Sequence, residues 1–174
     1  MANLLKIKHI SNDWHNSKDQ SVSVGIYENL QLNRQLQGVN RKLGRAISHT
    51  LTAGLVKGKI GEVTRIVGKK GFVVYLYGLG EKGKLTPEVF RIAAASVAKA
   101  CISDNINSVT FLLPIEAKDN TISQATSEGL VLGSYQFNEF KSKKDDLCEL
   151  IHASIVGGSK KAVDKGAIIA HCVC

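Results

Sequence analysis

Residues 72–114 read FVVYLYGLGEKGKLTPEVFRIAAASVAKACISDNINSVTFLLP, and this stretch decides the fold class. Phe72 to Tyr77 is a β-rich run, and Ser108 to Pro114 is a near-continuous apolar strand, as expected in a sheet covered on both faces. Between the two strands, Thr86 is placed as the N-cap of a helix and Pro87 as its first residue. This helix is expected to bury Val89, Ile92, Ala93, Val97 and Cys101.

The sequence before this stretch predicts two strands and a helix. Ser21 to Tyr27 alternates with period two and indicates a strand. Glu62 to Val67 predicts a second strand, joined to Phe72–Tyr77 as a hairpin through residues 68–71. Between them, apolar residues at helical spacing predict one long helix that ends at Gly54. Its buried face would be Leu32, Leu36, Val39, Leu43, Ile47 and Leu51.

The sequence after this stretch predicts two helices and one strand. Thr121 and Gln124 fit a capping box that opens a helix, with Ile122, Ala125, Gly129 and Leu132 inward. A polar stretch, Asn138 to Asp146, precedes a last strand around Leu147 to Ile155, and residues 157–159 start a final helix. Strands that alternate with helices predict an α/β domain, a three-layer α/β/α sandwich with a mixed sheet.

Length and composition fit a globular chain. The 174 residues are 44% hydrophobic and 22% charged, which excludes a disordered or low-complexity chain. The N-terminus lacks a secretory signal, and no apolar run is long enough to span a membrane, so no membrane partner is expected. Four scattered cysteines do not suggest a disulfide framework, so we predict a reduced, cytoplasmic protein.

The formal net charge of +8 favours anionic partners. The basic groups occur in loops and at helix starts, without the interleaved aromatic residues that stack single-stranded bases. The net charge and the glycine-rich turn at residues 78–83 nevertheless leave an alternative function open, a stand-alone module that binds nucleic acid or a nucleotide such as ADP-ribose. The candidate basic patches are Lys57/Lys59, Lys69/Lys70, Lys82/Lys84, Lys141/Lys143/Lys144 and Lys160/Lys161.

Three motifs are candidates for chemical sites, and none has the full pattern that its chemistry requires. Residues 78–83 match G-x-G-x-x-G, but the helix starts only at Thr86 and Glu116 lies too far on for a dinucleotide site, which favours a plain turn. Residues 171–174, His-Cys-Val-Cys, lack the second ligand pair of a zinc site and favour helix packing. Cys148 and His152 lack a third, orienting group. We therefore predict no catalytic, cofactor-binding or metal-binding residue.

The last helix reaches Cys174 without a C-terminal glycine, a basic last turn or a polar tail. This pattern predicts that the helix was cut or that it leads into a further domain. We accordingly divide the chain into a domain over residues 1–156 and a linking helix over residues 157–174.

Four motifs, in this order, resemble the N-terminal domain of the leucyl aminopeptidase (cytosol aminopeptidase) family. They are Gly58-Lys59-Ile60-Gly61-Glu62; Val73 to Lys82 with its Gly-Leu-Gly turn; Arg91-Ile92-Ala93-Ala94-Ala95; and Glu128-Gly129-Leu130-Val131-Leu132-Gly133-Ser134-Tyr135-Gln136-Phe137 followed by Lys141 to Lys144. The resemblance covers about Val22 to Cys174, and the first twenty residues carry no signal.

The resemblance implies a macro-domain-like fold, followed by a linking helix and a separate catalytic domain. In such enzymes that domain holds two divalent metals, manganese or zinc, and its Asn-Thr-Asp-Ala-Glu-Gly-Arg signature does not occur in this sequence. The family's N-terminal domain is associated with hexamer assembly and with access to the active sites, and some bacterial members also bind DNA. The resemblance therefore implies a chain that is inactive alone and that has a C-terminal catalytic domain as its partner.

Overall fold

The computed structural model describes residues 4–11, 14–68, 71–117, 119–135 and 148–174. Six strands and five helices alternate along the chain, and a short 3₁₀ turn covers Trp14–Asn16. The strands are β1 (Lys6–Ile10), β2 (Ser21–Ile26), β3 (Val63–Val67), β4 (Val73–Gly78), β5 (Ser108–Leu112) and β6 (His152–Val156). The helices are α1 (Arg34–Lys42), α2 (Ala46–Thr52), α3 (Pro87–Ser103), α4 (Asn120–Ser134) and α5 (Lys160–His171).

The six strands form one mixed sheet in the order β1-β6-β5-β2-β4-β3. All neighbouring strands are parallel except β3 and β4, which form the predicted antiparallel hairpin. At the centre, Val22 of β2 lies opposite Val74 of β4 on one side and Thr110 of β5 on the other. Strands β2, β4 and β5 are buried along their whole length, as a sheet with helices on both faces requires.

Each face of the sheet has its own apolar core. On one face, α3, α4 and α5 cover the stacked rings of Tyr77 and Phe111, whose centroids lie 4.4 Å apart. On the other face, α1 and α2 bury Leu36 and Ile47 against the sheet. The predicted α/β/α sandwich is therefore confirmed.

Strand β1 was not predicted. It pairs in parallel with β6, so that Lys6 lies opposite His152 and Ile10 opposite Val156. Its sequence, Lys-Ile-Lys-His-Ile, carries only two strongly apolar residues because it forms an edge of the sheet and is nowhere fully buried. Cationic residues are common on edge strands, where they discourage pairing with another chain.

The long helix predicted over Leu32–Leu51 is wrong, since the chain forms α1 and α2 instead. Gly44 and Arg45 both adopt left-handed backbone angles, with φ of 64° and 67°. The amide of Gly44 donates to the carbonyl of Arg41, and the amide of Arg45 donates to that of Asn40, at 3.2 and 2.8 Å. These two bonds are the Schellman pattern that ends a helix at a glycine.

Three finer predictions need correction. Ile92 and Leu132 were placed inward, yet they are 39% and 41% exposed. Asp119, rather than Thr121, caps α4, because its carboxylate accepts the amide of Thr121 at 2.8 Å. The Thr86 cap and the first-turn Pro87 of α3 are confirmed.

The end of the chain was predicted less accurately than its centre. The last strand begins at His152, five residues later than the predicted start at Leu147. The polar stretch Asn138–Asp146 lies outside the described residues. Helix α5 buries Val163 and Gly166 against its neighbours. The division into residues 1–156 and a linking helix over residues 157–174 stays a prediction.

Candidate functional site

The G-x-G-x-x-G turn after β4 is built around contact between two backbone segments. A side chain on Gly78 would press on the Gly58–Lys59 backbone, with a Cβ only 2.6 Å from the Lys59 carbonyl carbon. The amide of Gly80, a residue with φ of +73°, donates to the Gly58 carbonyl at 2.8 Å. Gly58 has φ of +70° and passes close to the Tyr27 carbonyl. Packing between segments therefore explains these glycines.

The loop that presses on Gly78 is held by one carboxylate. Glu62 accepts the amides of Lys57 and Lys59 at 3.0 Å each, so its side chain closes the Gly58–Gly61 turn. The Glu62 carbonyl accepts the Gly78 amide at 2.9 Å. Helix α3 begins at Pro87, well after Gly83, so the turn lacks the helix start that holds a pyrophosphate in a dinucleotide site. The interpretation as a strand-to-helix turn agrees with this geometry.

An ionic network joins α3 to α4. Arg91 of α3 donates through Nη2 to Glu128 of α4 at 2.8 Å and also pairs with Glu88 one turn away. Gln124 donates to the other Glu128 oxygen at 2.7 Å. Burial raises the pKa of the Glu128 carboxyl, but the hydrogen bonds from Gln124 and Arg91 and the Arg91 charge outweigh burial, so its pKa lies below the usual value. The network is therefore a stabilising contact between two helices.

The Glu128 contact predicts a pH-dependent loss of stability. Because the carboxyl has its ordinary pKa in the unfolded chain and a lower one in the fold, its contribution is present above the ordinary glutamate range. The contribution disappears as the pH falls through the lowered value. We expect Glu128→Gln to reduce the free energy of unfolding by about 1–2 kcal/mol at pH 7 and by much less at pH 3, measured by urea titration.

Glu88→Gln is the matched control for this titration. Glu88 contacts the same arginine but is 62% exposed, so its loss should cost under about 1 kcal/mol. If Glu128→Gln differed from the unaltered chain as much at pH 3 as at pH 7, the ion pair would not be the source of the stability.

A crevice of about 540 Å³ lies beyond the carboxyl ends of β5 and β6. Such a position is the usual ligand site of an open α/β sheet. Leu113, Val156 and Trp14 are among the residues that line it, and Gln35, also in the lining, donates to the Leu113 carbonyl at 2.8 Å. Among the described residues that line it, none is charged, so the crevice offers a diphosphate no cationic side chain.

The remaining candidate residues occupy separate places. His171 contacts the Leu5 carbonyl through Nε2 at 3.2 Å, and Cys172 and Cys174 are exposed at the end of α5. Cys148 precedes β6 in irregular structure, and His152 is the first residue of that strand. Within the described ranges, no three His, Cys, Asp or Glu side chains form a group that could hold a metal ion. In the same ranges, no helix is long and apolar enough to cross a membrane.

The basic patches predicted from the sequence are scattered. Lys57, Lys59, Lys82, Lys84, Lys160 and Lys161 are exposed at separate loops and helix ends, and Lys69, Lys70, Lys141, Lys143 and Lys144 lie outside the described residues. The sequence interpretation missed a groove of about 600 Å³ between α1 and α2, lined by Arg41, Arg45 and His49. The sequence does carry a signal of this cationic groove, because no Asp or Glu occurs between Glu28 and Glu62.

The outer face of α5 is apolar. Ile168 is 65% exposed, and Ile169 lies beside it, with Lys165 one turn and Lys161 two turns earlier on the helix. The opposite face of α5 packs on α4, where Gly166 approaches the Ser127 Cβ. Two adjacent exposed isoleucines flanked by lysines suit a contact with another polypeptide surface.

Comparison with known proteins points to one family. The family model described as "Cytosol aminopeptidase family, N-terminal domain" matches residues 24–144. A probable cytosol aminopeptidase of Aquifex aeolicus (strain VF5) is 30% identical over 172 residues, covering 95% of this chain and 34% of the relative. A probable cytosol aminopeptidase of Picosynechococcus sp. (strain ATCC 27264 / PCC 7002 / PR-6) is 30% identical over 145 residues, covering 79% of this chain and 30% of the relative. The chain thus spans about a third of the length of the curated relatives it matches.

Solved structures show the same fold. A tomato leucine aminopeptidase mutant matches with a TM-score of 0.80 at 22% identity, covering all of this chain and 37% of that protein. The macrodomain of Mycobacterium tuberculosis DarG matches with a TM-score of 0.67 at 11% identity, covering 89% of this chain and 99% of that one. The predicted macro-domain-like architecture is confirmed.

Proposed function

The chain belongs to the cytosol aminopeptidase family, and we propose that it acts as the non-catalytic N-terminal domain of a two-metal leucyl aminopeptidase. The full-length enzyme would remove N-terminal amino acids from peptides in the cytoplasm. The observation that carries the proposal is the match of residues 24–144 to the family's N-terminal domain, in a chain about a third as long as its relatives.

The chemistry would belong to a separate C-terminal catalytic domain. Two divalent ions there, manganese or zinc, would polarise the peptide carbonyl and activate water. The described residues of this chain do not provide a donor set for such ions. In this proposal the catalytic step and the metal ligands belong to that domain.

The role of this chain would be assembly and access. We propose that it contributes to a homohexamer and shapes the entrance to enclosed active sites, with the catalytic domain as its immediate partner. The apolar outer face of α5 supports this role, because burying an exposed isoleucine side chain contributes roughly 1.5–3 kcal/mol. Ile168 and Ile169 would lie against the catalytic domain.

A chimera tests the proposal. The matched N-terminal third of the Aquifex aeolicus relative is replaced by this chain, and hydrolysis of a leucyl chromogenic substrate is measured with manganese or zinc, together with the mass of the particle. We expect the chimera to hydrolyse the substrate and assemble, and the 174-residue chain alone to give no turnover above the blank. Ile168→Glu in the chimera should weaken assembly and hydrolysis together.

Leu55→Glu is the matched control, because Leu55 is equally exposed but follows α2 on the opposite layer. Leu55→Glu should leave the assembly of the chimera and its hydrolysis of the substrate unchanged. Turnover by the chain alone would contradict the proposal, and so would a folded, metal-loaded chimera that neither assembles nor hydrolyses the substrate. If Ile168→Glu and Leu55→Glu weakened assembly and hydrolysis equally, α5 would not be part of the interface.

A further inference from the structure

The crevice of about 540 Å³ beyond β5 and β6 lies where the chain leaves the sheet toward both of its faces. Strands β2 and β5 are parallel neighbours, with Val22 opposite Thr110. The helix that follows β2, α1, packs on one face of the sheet, and the helix that follows β5, α4, packs on the other. Connections that leave neighbouring parallel strands in opposite directions open a gap at the carboxyl ends, and open α/β sheets bind ligands in such gaps.

Both of these connections contribute to the lining of the crevice. Gln35 of α1 lines it from one layer of the sandwich, and Asn120, the first residue of α4, lines it from the other. Gln35 donates through Nε2 to the Leu113 carbonyl at 2.8 Å. That bond holds the Gln35 amide group in place and does not use its Oε1 or its second N–H. The crevice therefore has a positioned amide group on one wall and a second amide group on the other.

Two serine hydroxyls lie along the β1–β6 side of the crevice. Strands β1 and β6 end side by side, since Ile10 pairs with Val156 and its carbonyl accepts the Gly157 amide at 3.0 Å. Ser11 directly follows β1 and Ser159 comes soon after β6, and both line the crevice. The Ser159 side chain makes no capping hydrogen bond, so α5 does not use its hydroxyl.

The lining favours an uncharged ligand with an apolar face. Leu113, Pro114 and Val156 give the crevice apolar surface, and the described residues that line it include no charged side chain. A buried charge without a partner is costly, so a phosphorylated ligand is disfavoured. Amide side chains bind the edge of a purine base through paired donors and acceptors, and serine hydroxyls exchange hydrogen bonds with sugar hydroxyls. The volume is in the usual range for small-molecule sites.

We propose that this crevice binds an uncharged purine nucleoside. The base lies on the apolar surface with its edge at Gln35 and Asn120, and the ribose hydroxyls bind Ser11 and Ser159. A free sugar would use the hydroxyls but would leave the apolar surface uncovered, and an apolar ligand would leave the amide groups without partners. A nucleoside uses all three kinds of group. Such binding does not depend on the proposed aminopeptidase role.

The first measurement compares ligands that differ in charge. Adenosine, adenosine monophosphate and ADP-ribose are titrated separately into the 174-residue chain, by calorimetry and by two-dimensional ¹H–¹⁵N NMR. We expect adenosine to bind most tightly and to shift the Trp14 indole signal and the Gly157 and Gly158 amide signals, since these residues line the crevice. No adenosine binding, or shifts confined to residues outside the lining, overturns the proposal. Binding of either phosphorylated ligand as tightly as adenosine also overturns it, because phosphate groups would then be recognised.

The second measurement compares two glutamines of α1. Gln35 donates from Nε2 to the Leu113 carbonyl at 2.8 Å. Gln37 makes the same kind of bond, from Nε2 to the Leu32 carbonyl at 3.2 Å, but it lines the groove between α1 and α2 instead of the crevice. Gln35→Ala should weaken adenosine binding by about three-fold to ten-fold, because the base loses hydrogen bonds. The matched control Gln37→Ala should leave binding within about two-fold of the unaltered chain.

Asn120→Leu removes the amide group on the other wall. Asn120 is exposed in the first turn of α4, where Asp119 supplies the cap, so the fold should be retained. We expect Asn120→Leu to weaken adenosine binding as Gln35→Ala does, and Asn120→Gln to restore part of it. Circular dichroism verifies the folding of each variant. Full-strength binding by folded Gln35→Ala and Asn120→Leu chains would overturn the proposal, and so would a Gln37→Ala chain weakened as much as Gln35→Ala.

Discussion

Replacing Gly133 with alanine is expected to lower the free energy of unfolding by about 2–3 kcal/mol. Gly133 lies on α4 where this helix crosses α3, and an added Cβ would lie 2.5 Å from the Ala95 Cα and 2.6 Å from its carbonyl oxygen. Both atoms are backbone, so no side-chain rotation can relieve the overlap. The two helices would have to separate, and the Arg91–Glu128 contact would lengthen with them.

Gly129 makes the same approach one turn earlier. Its added Cβ would lie 2.9 Å from the Ala94 Cβ and would press on the Arg91 carbonyl. We expect Gly129→Ala to lower the free energy of unfolding by a similar amount. The double variant should cost less than the sum of the two, because the first separation of α3 and α4 already makes room for the second methyl group.

Gly38→Ala is the matched control, since Gly38 is also a helical glycine but nothing lies within 4 Å of its added Cβ. At this position the substitution changes only helix propensity, which is lower for glycine than for alanine. Gly38→Ala should therefore raise the free energy of unfolding by about 0.5–1 kcal/mol. Urea unfolding of the three variants provides the comparison. If Gly133→Ala also stabilised the chain, close packing would not be the reason for glycine at this position.

Local signals predicted the centre of the fold correctly. Strand β5 carries an almost unbroken apolar run because helices cover both faces of the sheet, and Thr86 with Pro87 marks the start of α3 through its own cap geometry. Strand β1 gave no comparable signal, because an edge strand buries little and tolerates lysine. The break at Gly44 was hidden, because the apolar spacing of Leu43 and Ile47 continues across it and only the backbone angles change.

The motifs were visible in the sequence, but their partners were not. Gly129 and Gly133 could be read as a small-residue face of a helix, yet nothing in the chain specifies that Ala94 and Ala95 lie opposite. The cationic groove was likewise visible only as an interval without carboxylates. The contacts of Lys42 with the Trp14 and Phe72 rings depend on how separate segments fold back on α1. Contacts between distant segments therefore limit what the sequence predicts about sites.

Replacing Gly78 with alanine should lower the free energy of unfolding by about 3 kcal/mol or more, a larger effect than that of Gly133→Ala. The added Cβ would overlap the Lys59 carbonyl group and lie 2.7 Å from the Gly58 carbonyl carbon. The Gly58–Lys59 segment cannot retreat freely, since the Glu62 carboxylate accepts the Lys59 amide and the Gly58 carbonyl accepts the Gly80 amide. The turn would have to lose several hydrogen bonds to admit one methyl group.

Gly83→Ala separates this packing cost from the cost of a strained backbone. Gly83 belongs to the same motif and has φ of +92°, but nothing lies within 4 Å of its added Cβ. Only conformational strain applies there, about 1–2 kcal/mol. In urea unfolding, the free energy of unfolding should therefore be highest for the unaltered chain, lower for Gly83→Ala and lowest for Gly78→Ala. If Gly78→Ala cost no more than Gly83→Ala, contact with Lys59 would not explain this glycine, and a role for the turn in holding a ligand would have to be reconsidered.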